Sequence, residues 1–130
     1  MTEQENYASY DDFKKLKMQI GLIRFVEPIP ETDKLLRFEI DFGEKESEEL
    51  PFGKEEYRGR DVRQIVSGIR EYYPDYESLV GKKVLYVTNL EPRIIRGVRS
   101  EGMLMAVDGP DGKPRFLVAE GNVEPGASVR

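Results

Sequence analysis

Three arginines, Arg93, Arg96 and Arg99, recur at every third position in the stretch LEPRIIRGVRS, residues 90–100. A guanidinium is planar and permanently charged, and it can hold a phosphate through two parallel hydrogen bonds. The spacing therefore allows a phosphate clamp. It equally allows three solvated charges on a surface loop, the usual fate of arginine. A second basic pair is Lys34, at the start of an extended run, and Arg37, on its polar face. Arg37 can bind a ligand anion, or it can pair with Glu39 or Asp41 across strands, which is worth little at a surface.

The same inventory rules out much chemistry. There is no histidine and no cysteine. Ser-His, Cys-His and His-metal sites are therefore excluded, together with disulfides and thiolate metal centres. No paired-carboxylate motif stands in their place. Asp41, Glu44, Glu46, Glu48 and Glu49 lack the glycine position and the terminal glutamate of an EF-hand loop, so they read as a solvated acidic segment. The expectation is no catalytic residue, no metal and no cofactor.

The chain has 130 residues, enough for one domain with a core of its own, and a net charge of −5. That charge is unevenly spread. Residues 58–99 hold 9 basic and 5 acidic side chains, so the middle of the chain is net +4. This contrast allows a local basic surface on an acidic molecule. The apolar runs are too short to span a bilayer. The start, MTEQENYASYDDF, lacks the basic and apolar parts of a secretory signal. A cytoplasmic location fits both observations and the absence of cysteine.

Residues 1–9 read as a loose tail. The stretch from Ser9 to Leu16 predicts a short helix capped by Ser9 or Asp11, with Phe13 and Leu16 on one face. From Lys17 the period changes to two. Alternation slips after Gly21, which predicts a bulge or sharp coil in a long first strand. Leu36, Phe38, Ile40 and Phe42 alternate with Arg37, Glu39 and Asp41, a clean second strand. Residues 44–57, acidic and carrying Pro51 and Gly53, read as an exposed loop or hairpin tip. Strands follow over 60–69 and 82–89, with a helical turn at 75–81 between them. Residues 90–100 read as an arginine-rich loop. Further strands are expected at 103–107 and 115–119, joined by the turn Gly109-Pro110-Asp111-Gly112, with a final extended piece over 123–130. Three strands, a short helix and two more strands is the order of an OB barrel. The fold class is therefore all-β: a five-stranded OB-fold barrel with short helices and a C-terminal β extension.

Five segments occur in a fixed order: Tyr10-Asp11-Asp12-Phe13, Met18-Gln19-Ile20-Gly21, Ile65-Val66-Ser67-Gly68-Ile69, Asn89-Leu90-Glu91-Pro92-Arg93 and Ser100-Glu101-Gly102-Met103. In these the chain resembles the tRNA-binding domain family. That family includes free-standing tRNA-binding proteins, the C-terminal domain or separate β-subunit of methionyl-tRNA synthetase, and the endothelial monocyte-activating polypeptide domain. The resemblance implies a non-catalytic module over 10–130 that binds tRNA by shape and backbone contacts. It also implies a homodimer formed through an extension at about 101–130, with a methionyl-tRNA synthetase catalytic subunit as a further partner. The RNA-binding residues it suggests are Lys34, Arg37, Ser67, Asn89, Arg93, Arg96, Arg99 and Ser100. Ser67 and Asn89 could instead satisfy backbone groups at the barrel end, and Met103 reads as core. The sequence departs from the family pattern at the acidic segment 44–60 and at Glu91, where lysine is common. A dimeric peptide-binding chaperone of the same family is the competing reading.

Overall fold

Ser9 opens the first element by closing a capping box. Its hydroxyl accepts the Asp12 amide and the Asp12 carboxylate accepts the Ser9 amide, both at 3.0 Å. Helix α1 follows over Tyr10–Lys15, acidic in its first turn and basic in its last, as the helix dipole favours. The computed structural model describes residues 6–130, so residues 1–5 of the expected tail lie outside the described residues. No described helix is long and apolar enough to cross a membrane.

The barrel is built from β1 (Met18–Pro28), β2 (Leu36–Glu44), β3 (Arg60–Ser67) and β4 (Lys83–Val87). Two short hairpins and an intervening strand follow: β5 (Arg93–Ile95) with β6 (Val98–Ser100), β7 (Met103–Leu104), and β8 (Ala106–Asp108) with β9 (Pro114–Phe116). The main sheet is antiparallel in the order β3-β2-β1-β4-β7. The long β1 serves two neighbours: Met18–Leu22 pairs with β4, and Leu22–Pro28 pairs with β2. Its register shifts between Ile23 and Phe25, not at Gly21. Gly21 has a different reason to be glycine. It is buried, and a Cβ there would run into Ile40, Phe42 and Tyr86. The strand coils around the core, and the missing side chain lets that core close.

The alternation read in β2 is the observed one. Leu36, Phe38, Ile40 and Phe42 face inward, joining Ile23, Val26, Ile65, Leu79, Val84 and Tyr86. Their burial supplies the main stabilising term. The sheet closes on itself through single contacts between β3 and the chain at the end of β6. The Glu101 amide donates to the Gln64 carbonyl at 2.8 Å, and the Val66 amide donates to the Ser100 hydroxyl at 3.0 Å. At the barrel end Tyr73 stacks on Phe116 with ring centroids 5.2 Å apart, and its hydroxyl donates to the Pro114 carbonyl at 2.6 Å. The expected helical turn is a 3-10 turn at Tyr76–Leu79. The C-terminal piece runs along the free edge of β1. Gly126 and Ala127 exchange backbone bonds with Ile20, and the Val129 amide donates to the Met18 carbonyl.

Two segments differ from their sequence reading. Residues 44–57 are not simply an exposed loop. Two 3-10 turns, Pro51–Gly53 and Glu55–Tyr57, fold them back so that Tyr57 is only 2% exposed. And residues 93–100 are not a loop but a two-stranded ribbon, with Ile95 opposite Val98.

Candidate nucleic-acid interface

The ribbon β5–β6 turns at Arg96-Gly97, both with positive φ, 53° and 80°. A type I′ hairpin requires this at its two central residues, and Asn-Gly or Gly-Gly usually supplies it. Arginine there is an unfavourable choice of residue for the turn itself, and it places a cation at the ribbon's tip. The Arg96 guanidinium reaches the Glu31 carbonyl, 3.4 Å away, in the loop between β1 and β2. Arg70 reaches the same loop: its guanidinium donates to the Thr32 carbonyl, and its amide to that of Lys34. The two loops that OB folds use for ligands thus stand together.

The cations packed on the outer face of β2 are already taken by carboxylates. On the outer face of β2, Asp41 is fully buried and accepts from Arg24 at 2.8 Å, Arg60 at 3.1 Å and the Gly43 amide at 2.8 Å. Glu39, 2% exposed, accepts from Arg37, Lys54 and the Tyr57 hydroxyl, each at 2.7 Å. Burial pushes the Glu39 carboxyl up, but Lys54, Tyr57 and Arg37 together hold it below the ordinary carboxylate value. Burial and the neighbouring Glu39 charge push the Tyr57 hydroxyl far up, so it stays a donor.

Arg37 is therefore committed. Its three nitrogens reach Gln64, Glu27 and Glu39, and it lies over the Phe52 ring at 5.2 Å. The sequence left its two readings open; here its guanidinium is engaged with Glu27 and Glu39. Asn89 is committed too. Its side-chain oxygen accepts the Lys17 amide at 2.7 Å and its amide donates to the Lys15 carbonyl at 2.6 Å, tying α1 to the barrel. Ser100 is 5% exposed and works as the barrel's clasp. Arg99 faces Glu101 at 3.4 Å. Lys34, Arg93 and Arg96 remain: all are exposed, and none has a carboxylate partner among the described residues.

Beside Arg93 opens a cleft of about 280 Å³ between the end of β3 and the base of the ribbon. Val66, Leu90, Ile95 and Met103 make its apolar walls, with Ser67, Glu91 and Arg93 at its polar edge. Of the residues named from sequence, Ser67, Arg93 and Ser100 line it, and Lys34, Arg37, Asn89, Arg96 and Arg99 do not. Met103, read as core, is 46% exposed and lines the cleft, as does the 42% exposed Leu90. Both sit inside the segments quoted for the family. Their spacing alone held no signal that β3, the ribbon base and β7 would enclose a space.

A family model described as "Putative tRNA binding domain" matches residues 18–128. Methionine–tRNA ligase of Enterococcus faecalis is 34% identical over 129 residues, which is 99% of this chain and 17% of that one. The chain thus spans about a sixth of the length of such curated relatives. Among solved structures, a MetRS-related protein from Pyrococcus horikoshii is 34% identical with a TM-score of 0.76, covering 95% of this chain and 98% of that one. A CsaA chaperone protein from Picrophilus torridus is 26% identical with a TM-score of 0.72, covering 95% and 100%. With the barrel, the paired loops and a family match over most of its length, this chain belongs to the tRNA-binding domain family.

Proposed function

We propose that the protein is a non-catalytic module that binds tRNA through its backbone, using the β5–β6 ribbon, the loop before β2 and the cleft between β3 and the ribbon's base. One observation carries this reading. Lys34, Arg93 and Arg96 are left without carboxylate partners among the described residues, while Arg24, Arg37, Lys54, Arg60 and Arg63 are all paired. Free cations gathered on ligand loops are what phosphate recognition requires, and they offset the overall negative charge locally. Ser67 adds a hydroxyl at the cleft. The likeness to methionine–tRNA ligases supports a role as the β-subunit or accessory domain of such an enzyme, in the cytoplasm, raising the local tRNA concentration at a catalytic subunit.

A homodimer is part of the same proposal. The C-terminal extension presents an apolar groove lined by Leu85, Leu117, Val118, Val123 and Val129, with Val118 66% exposed. A two-fold partner would cover it. Sedimentation at micromolar concentration should give twice the chain mass, and a monomer would reject this part.

The RNA reading is tested by a gel-shift titration of tRNA at two salt concentrations, with random single-stranded RNA as competitor. Arg93→Ala with Arg96→Ala should weaken binding and reduce the log–log salt slope by roughly one unit, or somewhat less, per arginine. Unchanged binding at every salt concentration rejects the ribbon as the RNA site. A second reading, a dimeric peptide-binding chaperone, draws support from the likeness to the CsaA chaperone and the net charge of −5. Salt-dependent tRNA retention separates the two.

A further inference from the structure

Glu91 is the one acid among the residues that line the cleft. Its setting is unusual for a phosphate site. It stands two residues from Arg93, is exposed, and has no ion-pair partner among the described residues. Arg99, by contrast, has Glu101 at 3.4 Å. A carboxylate beside bound RNA repels phosphate, so as bare surface charge Glu91 only weakens the site. As a ligand group it offers two coplanar acceptor oxygens and no donor.

The rest of the cleft narrows what those oxygens can meet. Leu90, Ile95, Val66 and Met103 give the cleft apolar walls that suit a flat ring, and the Met103 sulfur suits an aromatic one. Gly102, at the cleft's lining, lets the chain lie close on the barrel: a Cβ there would sit 2.9 Å from Ile65 and 3.2 Å from the Val87 carbonyl. The volume of about 280 Å³ is enough for one purine ring system. Unpaired RNA bases are read by such pockets through their Watson–Crick edges. Among the four bases only guanine presents two adjacent donors on that edge, N1–H and the 2-amino group. Adenine, cytosine and uracil each place an acceptor beside their donor, which a carboxylate repels.

We propose that the cleft takes one unstacked guanine of the bound RNA, with the Glu91 carboxylate accepting from N1–H and the 2-amino group. The flanking phosphates lie on Arg93 and Arg96. This rests on the RNA-binding reading above and gives it a base preference that backbone contacts alone cannot produce.

The test uses the full chain and short uridine-rich RNAs carrying a central guanine, inosine, adenine or uracil, measured by fluorescence anisotropy. The guanine RNA should bind about tenfold tighter than the adenine or uracil RNA, with inosine, which lacks the 2-amino group, between them. Glu91→Ala should weaken the guanine complex while leaving the adenine and uracil complexes unchanged or tighter, because a repelling charge is gone. Arg93→Ala should weaken all four and keep the guanine preference. If Glu91→Ala tightens all four RNAs equally, or if the parent chain does not distinguish the bases, the guanine site is overturned while RNA binding stands. If tRNA binds but none of the short RNAs does, the guanine site is overturned while RNA binding stands; if tRNA itself shows no salt-dependent binding, the RNA reading falls and this inference with it.

Discussion

The Ser100 hydroxyl accepts a hydrogen bond from the Val66 amide at 3.0 Å, between residues 34 apart in the chain. It also lies 3.3 Å from the Gly102 carbonyl, to which it donates. Here β3 has no full ladder to its closing neighbour, and a side chain completes the bonding of a buried backbone donor. Ser100→Ala should therefore cost about 1–3 kcal/mol, the penalty for an unsatisfied buried amide. Denaturant titration measures it. Because Ser100 anchors the ribbon's base, tRNA affinity should also fall, but the salt slope should stay as in the parent, since no phosphate contact is lost.

Glu39 makes the molecule acid-sensitive in a definable window. Its partners hold its folded pKa below the ordinary value of 4.5. A lowered folded pKa means stability that is present above the unfolded value and lost as pH falls through the folded one. The thermal midpoint should therefore drop below about pH 4.5 in part through this group. Tyr57→Phe removes a donor to a charged acceptor and should cost about 1.5–3 kcal/mol at neutral pH. It should also shrink the acid-induced drop and raise the pH at which that drop is complete, because without that hydroxyl the folded pKa of Glu39 moves up toward its unfolded value. Thermal melts of both proteins between pH 3 and 7 check the two effects.

The acidic segment has two parts with opposite consequences. Lys54 pairs with Glu39 and Tyr57 donates a hydrogen bond to it, so excising residues 51–57 should destabilise the fold by leaving a buried carboxylate short of partners. Glu46 and Glu49 are exposed and unpaired among the described residues. Glu46→Gln with Glu49→Gln should leave the thermal midpoint within experimental error and tighten tRNA binding modestly at low salt, an effect that screening removes at high salt. Gel shifts at two salt concentrations measure it.

Tyr86 carries its hydroxyl into the core, and that oxygen has no hydrogen-bond partner among the described residues. Burial pushes its ionisation far above the usual tyrosine range. The ring itself packs edge-on against Phe42, with centroids 5.4 Å apart. Tyr86→Phe keeps that contact and removes an unsatisfied polar group, so it should leave stability unchanged or raise it by up to about 1–3 kcal/mol. A fall of that size in denaturant titration would show that the hydroxyl is satisfied in solution.

By itself the sequence determined what depends on neighbours a few positions apart. The run from Ser9 to Leu16 marks a short helix with a polar cap, and the structure chose Ser9 over Asp11 as that cap. The alternation from Leu36 to Phe42 assigns one face of β2 to the core, because successive side chains of a strand point to opposite sides. Gly109-Pro110-Asp111-Gly112 reverses the chain, and the Gly112 amide duly meets the Gly109 carbonyl. Missing residue types settled something too: without histidine or cysteine, no arrangement of this chain makes a Cys-His or His-metal centre. The order of five short segments carried the family.

Tertiary structure decided which charges are free. Arg37 and Arg96 are both candidate phosphate contacts in the sequence. Arg37 meets Gln64, 27 positions away, and Glu27, 10 positions away, whereas Arg96 sits on a turn tip with only a carbonyl in reach. The cleft has the same origin, since its walls come from three separate parts of the chain that meet only when β3 closes against the ribbon. Even the ribbon was hidden, because Arg96-Gly97 is an unusual filling for a turn that needs two positive φ angles. Ion pairing and cavity shape depend on contacts between residues tens of positions apart, and no local period encodes them.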